Sequence, residues 1–138
     1  MTRERNVRTV RRLLELVNRQ AFDRLDEVYA YDLVDHDPAP EHGGGFDGVQ
    51  RYFTDLSAAF PDLHLEEDVL IADGDHVAMA YRLSGTQHGR FHGVAGTGRR
   101  VETRGMQMAR FADGKIVERW GAVDDLAILG RLNVAVPS

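Results

Sequence analysis

The sequence contains no cysteine, and its only lysine is Lys115, against sixteen arginines. Without cysteine, disulfides, thiolate metal sites and a thiol nucleophile are all excluded. Proline is scarce as well, four in 138 residues, and no apolar stretch is long enough to span a bilayer. The opening residues "MTRERNVRTV" are charged and polar rather than the apolar core of a secretory leader, which predicts a cytoplasmic protein with no membrane partner. Charge of one sign is not concentrated anywhere. The formal net charge is −5 and the arginines form no stripe, so nucleic acid is excluded as a partner. What is present is an ordinary globular balance, 43% hydrophobic and 28% charged residues. That length and balance predict one domain, residues 1–138, able to bury its own core.

In "RNVRTVRRLLELVNRQ" the residues Val7, Val10, Leu13, Leu14 and Val17 recur at helical spacing, with Arg and Glu opposite. This predicts an amphipathic helix. The segment "DRLDEVYA" opens on the capping residue Asp23 and predicts a second, short helix. Two prolines and four glycines in "VDHDPAPEHGGGFDG", residues 34–48, predict a surface loop at the lip of a pocket. Val49, Tyr52, Phe53, Leu56 and Phe60 then mark a third helix, ended by Pro61. From there to about Val123 the pattern is strand, with turns at Asp73-Gly74-Asp75 and Ala112-Asp113-Gly114. Val77, Met79, Tyr81 and Leu83 alternate with Ala78, Ala80, Arg82 and Ser84. A closing helix, "DDLAILGRL", completes an α+β pattern of helices on one face of a curved antiparallel sheet.

The stretches "VDHDP" (34–38), "FDG" (46–48), "AFPDLHLE" (59–66), "ADGDHVAMAYRLSGTQHGRFHGVAGTGRRV" (72–101) and "RFADGKIVERW" (110–120) follow one another as they do in a known family. In their order and spacing the chain resembles the SnoaL-like polyketide cyclases, of the nuclear transport factor 2-like fold. The resemblance implies a cone-shaped barrel with the N-terminal helices on the concave face of the sheet. It also implies ring closure by intramolecular aldol chemistry on a hydrophobic polycyclic carbonyl compound, without metal or organic cofactor. Relatives hydroxylate, open epoxides or isomerise, so the fold supplies the pocket and not the reaction. The family's cyclases carry an aspartate directly after the position of Trp120 and a histidine at the position of Gln107. This chain has Gly121 and Gln107 there.

Glycine moves no proton, and an amide donates a hydrogen bond without being a base. The proton-transfer candidates are therefore Asp124 and His36, with Gln107 as donor to an enolate oxygen. Asp124 is either a pocket carboxylate or, with Asp125, the N-cap of the last helix. His36 is either a catalytic imidazole at the pocket rim or a structural ring that fixes the following loop, and Asp35 is an equally plausible carboxylate. A three-residue loop at 112–114 would set Gln107 opposite Arg119, with Glu118 and Trp120 on the other face; a one-residue bulge would invert this. Tyr52, Phe53, Met79, Tyr81, Met106, Met108, Arg119 and Trp120 are the candidates to bind substrate.

His88 and His92 have the i, i+4 spacing of metal ligands on a helix, but their surroundings indicate strand and loop, so no metal site is expected. "GVAGTGRR" lacks the ending of a phosphate loop, and relatives usually have proline where this chain has Gly96. The rivals are a binding protein that retains its ligand unconverted, and a hydratase, epoxide-opening or isomerase activity, which Glu118 facing the pocket would favour. The exposed face of such a sheet, with Met108, Arg110 and Trp120, predicts a homodimer.

Overall fold

The computed structural model describes residues 2–39 and 42–132. Helix α1, Thr2–Asn18, buries Val10, Leu13, Leu14 and Val17 of the predicted stripe and Leu16 beside them, with Val7 half-buried. The expected second helix is instead a single 3₁₀ stretch, Phe22–Glu27, which buries only Leu25. Strand β1, Tyr29–Asp35, follows it. Helix α2, Gly45–Ala59, stops just before Pro61, and its buried face carries Val49, Phe53 and Leu56. Strands β2, His64–Asp73, β3, His76–Thr86, β4, Arg100–Ala112, and β5, Lys115–Val123, form the meander that the alternation predicts. Helix α3, Asp125–Arg131, closes the described chain.

The five strands make one curved sheet in the order β1-β5-β4-β3-β2, not closed into a barrel, with the helices on one side. The α+β class is as expected, and two details are corrected. Neighbours from β2 to β5 pair antiparallel, but β1 runs parallel to β5. Residues 29–35 are strand, where the sequence pattern predicts the tail of a helix and the start of a loop. The reason is physical: β1 pairs with a strand more than eighty residues away, Asp35 with Arg119, and no local pattern carries that information. Pro40 and Glu41 of the predicted loop lie outside the described residues.

The inner face of the sheet carries Val77, Met79, Tyr81 and Leu83 of β3, and Val101, Ala109 and Phe111 of β4. These pack with α1, α2 and Tyr29 into one core, each large apolar side chain contributing on the order of 1.5–3 kcal/mol. Asp113 and Gly114 both have positive φ, 50° and 80°, so the β4–β5 hairpin turns in two residues rather than three. A bulge between Arg110 and Phe111 then adds one more residue of offset. The two shifts sum to two, which returns every side chain to its expected face. Gln107 stands opposite Gly121 instead of Arg119, yet Gln107, Arg119 and Gly121 still share the inner face.

Candidate functional site

A cavity of about 320 Å³ lies between α2 and the inner face of the sheet. Val49, Phe53, Leu56, Leu65 and Leu83 give it apolar walls, and Tyr52, Tyr81, Gln107 and Arg119 bring polar atoms to it. Asp35, Asp37 and Asp125 complete its lining with carboxylates. Among the described residues no group of three or more histidine, aspartate and glutamate side chains is arranged to hold a metal ion.

The parallel register of β1 against β5 sets the centre of the site. Asp35 pairs with Arg119 in the ladder, and both side chains point inward, where Arg119 Nη1 donates to Asp35 Oδ1 at 2.8 Å. The aspartate side chain is 4% exposed and the arginine 17%. A pair this dry needs further bonds to offset desolvation, and the same Asp35 oxygen also accepts from the Asp37 backbone N–H at 3.0 Å. Burial works against the charge on Arg119, but Tyr29, the carboxylate of Asp35 and Tyr81 together hold its pKa above the ordinary arginine value. The guanidinium is a fixed cation in the cavity wall. Burial pushes Tyr29 and Tyr81 up to about 12, against the pull of Arg119, so both phenols are neutral donors at any physiological pH.

Two glycines make this arrangement possible. A β-carbon on Gly105 would lie 2.4 Å from the Tyr81 ring, so its absence lets that ring cross β4 towards β5. A β-carbon on Gly121 would lie 2.9 Å from Arg119 Nη2 and 2.7 Å from the Met106 carbonyl oxygen. The space beside residue 121, where the family resemblance implies a carboxylate, therefore borders a guanidinium. Asp37 continues the edge of the sheet past the end of β1, its Oδ2 accepting from the Gly121 N–H at 2.9 Å.

Of the residues singled out in the sequence, Tyr52, Phe53, Tyr81, Gln107 and Arg119 meet at the cavity. Asp35, Gly121 and Asp125 line it as well, and the remaining candidates lie elsewhere. His36 is not at the pocket rim: strand alternation turns it outward, where its ring stacks on Trp120 at 4.7 Å and its Nε2 bonds Glu118 at 2.8 Å. Arg110 donates to the other Glu118 oxygen at 2.8 Å, and the His36 bond, then the Arg110 bond, hold the Glu118 pKa below the usual carboxylate range. Trp120, Met106 and Met108 share that outer face, Met106 being 67% exposed. Met79 is buried in the core rather than in the cavity wall. Asp124 caps α3, accepting from the Ala127 N–H at 2.9 Å, and borders a surface depression with Arg82 and Arg104 instead of the cavity. The residue that reaches the cavity is its neighbour Asp125.

Nothing in the sequence connects Asp35 to Arg119, or Asp125 to the cavity. The first is a long-range pairing that no local pattern marks, since β1 does not alternate cleanly and Tyr31 is 75% exposed. The second depends on which of two adjacent aspartates caps the helix, and composition does not distinguish them.

The fold has counterparts. No curated protein sequence matches the chain. Among solved structures, IdmH of Streptomyces antibioticus, provisionally assigned as a polyketide cyclase, is 32% identical with a TM-score of 0.82, over 94% of this chain and 99% of that one. AclR of Streptomyces galilaeus, provisionally assigned as a hydroxylase, is 27% identical with a TM-score of 0.85, over 95% and 97%. TsrD of Streptomyces laurentii shares the fold, with a TM-score of 0.87 at 22% identity over 96% and 98%. The sequence model of the SnoaL-like polyketide cyclases matches residues 7–132, nearly the whole length described, and the chain belongs to that family.

Proposed function

We propose that this chain is an enzyme that binds a hydrophobic carbonyl compound with its oxygen against Arg119 and Gln107 and promotes proton transfer at the adjacent carbon, the step that opens an aldol-type ring closure. The observation that carries the reading is the guanidinium of Arg119, buried in the wall of a partly apolar cavity and held by Asp35. A preorganised cation in a low-dielectric site stabilises an enolate oxygen far better than water does. Tyr81 supports it with a neutral hydroxyl that makes no hydrogen bond to the described residues, leaving it a donor for a bound oxygen. Activation is thus electrophilic, and proton transfer falls to the carboxylates of the lining rather than to Asp124 or His36. Glu118, whose presence in the pocket would favour a water-adding reaction, points outward to His36 and Arg110.

The test is hydrogen–deuterium exchange at the carbon next to the carbonyl of 2-tetralone, a bicyclic ketone, followed by proton NMR in D₂O. The protein is expected to accelerate exchange over buffer, and Gln107→Leu to reduce the acceleration by about 100-fold, the scale of a lost oxyanion donor. Binding of the ketone with no acceleration would favour the rival in which the cavity only retains its ligand.

The outer face of the sheet fits a second copy of the chain. Ile71, Ala78, Met108 and Trp120 form one cross-strand row, and Val69, Ala80, Met106 and Ala122 the next. Charges of both signs flank the rows, Arg110 with Glu118 on one side and Arg82 with Asp68 on the other, as a self-complementary two-fold contact requires. Sedimentation equilibrium is expected to give a dimer that Met106→Glu dissociates; a monomeric parent protein overturns this.

A further inference from the structure

A second cavity, about 640 Å³, lies next to the first and shares Ala39, Tyr52, Leu56 and Asp125 with it. Asp125 stands at this common throat, and its Oδ2 is bonded to His92 Nε2 at 2.8 Å. The histidine comes from the connection between β3 and β4, and that connection is rigidly built. Gln87 is fully buried and acts as its hub: its amide donates to the carbonyls of Gly89 and Val94, and its oxygen accepts from the backbone and hydroxyl of Thr97, all within 3.1 Å. Phe91 packs edge-on against Phe60 at 5.4 Å. Reciprocal backbone bonds between Phe91 and Val94 close a tight tip, in which His92 adopts φ 47°, a left-handed conformation rare for a residue with a side chain. Strain of this kind clusters where geometry serves function, and here it aims an imidazole at a carboxylate on a cavity wall. Asp125 is not needed as the helix cap, because Asp124 already fills that position.

We propose that Asp125 is the proton-transfer group of this protein, with His92 as its positioning residue, and that the substrate is an oxygenated polycyclic compound long enough to reach from Arg119 through the throat into the second cavity. This rests on the reading that the first cavity binds a carbonyl compound. Asp125 takes the proton from the carbon beside the carbonyl; the C–H pair becomes the enolate, whose negative oxygen lies against Arg119. The enolate carbon then bonds to a second carbonyl carbon of the same molecule, and the alkoxide so formed takes the proton back from Asp125. Nothing else is consumed. His92 holds the carboxylate in orientation throughout. The outer cavity offers the polar extension of the substrate His42, Asp55 and Arg90.

The titratable and charged groups that line the cavities around the pair, among the described residues, are Tyr81 of β3, Tyr52 and Asp55 of α2, His42 before it, Arg90 of the connection, and Asp35, Asp37 and Arg119 of the inner cavity. The experiment is the 2-tetralone exchange assay on four variants, with the His92 ring followed by ¹H–¹⁵N NMR. Asp125→Asn is expected to lower the exchange rate by about 100-fold, the range of a lost general base. His92→Gln should lower it by about tenfold and move the acidic limb of the pH–rate profile, a change that mere support of the fold would not produce. Asp125→Glu should recover part of the rate. Asp124→Asn, which keeps a capping side chain, should leave it unchanged. Added ketone should shift the His92 ring resonances. If the parent protein exchanges the ketone and Asp125→Asn does so within about threefold, this proposal is overturned while the carbonyl reading stands. If the parent protein does not accelerate exchange, both fall together.

Discussion

Arg119 and Trp120 are consecutive residues that work in different solvents. Each finds its partner at the end of β1: Arg119 bonds Asp35, and Trp120 stacks on His36. The pleat turns the first pair into the cavity and the second onto the outer face. Inside, the pair is nearly dry and its carboxylate oxygen receives two donors, so its geometry is fixed and its charge cannot be screened. Outside, His36, Trp120, Glu118 and Arg110 form a half-exposed layer that water and salt can reach. One two-residue unit, read in two directions by strand alternation, thus supplies both the candidate chemistry and a candidate contact surface.

The sharpest way to break the comparison is to remove the inner carboxylate. Asp35→Ala leaves Arg119 buried without its partner and is expected to cost about 3–5 kcal/mol in denaturant unfolding, the range for a buried ion pair opened on one side. Raising the pH tests the same environment without mutation. Tyr29 and Tyr81 titrate at about 12 in the folded chain, against 10.0 ordinarily, so the unfolded chain gives up these protons first. Stability from this source is complete below pH 10 and is lost as pH rises through 12, about 3 kcal/mol for each tyrosine. Tyr81→Phe should remove one of the two losses, seen as a shallower fall of the unfolding midpoint in alkali.

What could be read from the sequence was whatever a local period encodes. The stripes of α1 and α2 and the alternation in β3 and β4 gave helices, strands and the inner face. Gln107, Arg119 and Tyr81 followed, because side-chain parity survives a register error of two residues. What could not be read was pairing at a distance. The parallel contact of β1 with β5 decides that Asp35 faces Arg119 while His36 faces Trp120, and it joins residues 84 apart in sequence. The throat is the same kind of case: His92 reaches Asp125, 33 residues away, from a β3–β4 connection that Gln87 ties together.

A smaller effect is expected at Gly121, where the two faces meet through a single strand. Gly121→Ala puts a β-carbon within 3.0 Å of the Met106 carbonyl, Arg119 Nη2 and the Gln107 side chain. The guanidinium is tethered by Asp35 and the Met106 carbonyl belongs to the β4 ladder, so making room costs about 1–3 kcal/mol of overpacking. Gly121→Asp, which would install the carboxylate that the family resemblance implies, meets the same obstacle before any chemistry begins. A crystal structure of either variant should show β4 and β5 spread apart at Met106; an undisturbed ladder with the guanidinium in place would mean that the glycine is not what accommodates Arg119.

The smallest expected effect lies on the outer face, and its pH dependence is what distinguishes it. Glu118 is held below the usual carboxylate range by His36 first and Arg110 second. Because the folded value is the lower one, the stabilisation is present above the ordinary glutamate range and disappears as pH falls through the depressed value. Glu118→Gln should therefore lower the unfolding midpoint at neutral pH by less than any substitution above, and the variant and parent should converge as pH falls through the depressed value and the carboxylate protonates. Added salt should shrink the neutral-pH difference and leave the cost of Asp35→Ala nearly unchanged, since screening reaches a half-exposed cluster and not a dry one. Equal salt sensitivity at the two sites would place Asp35 and Arg119 in water after all, and with it the guanidinium on which electrophilic activation depends.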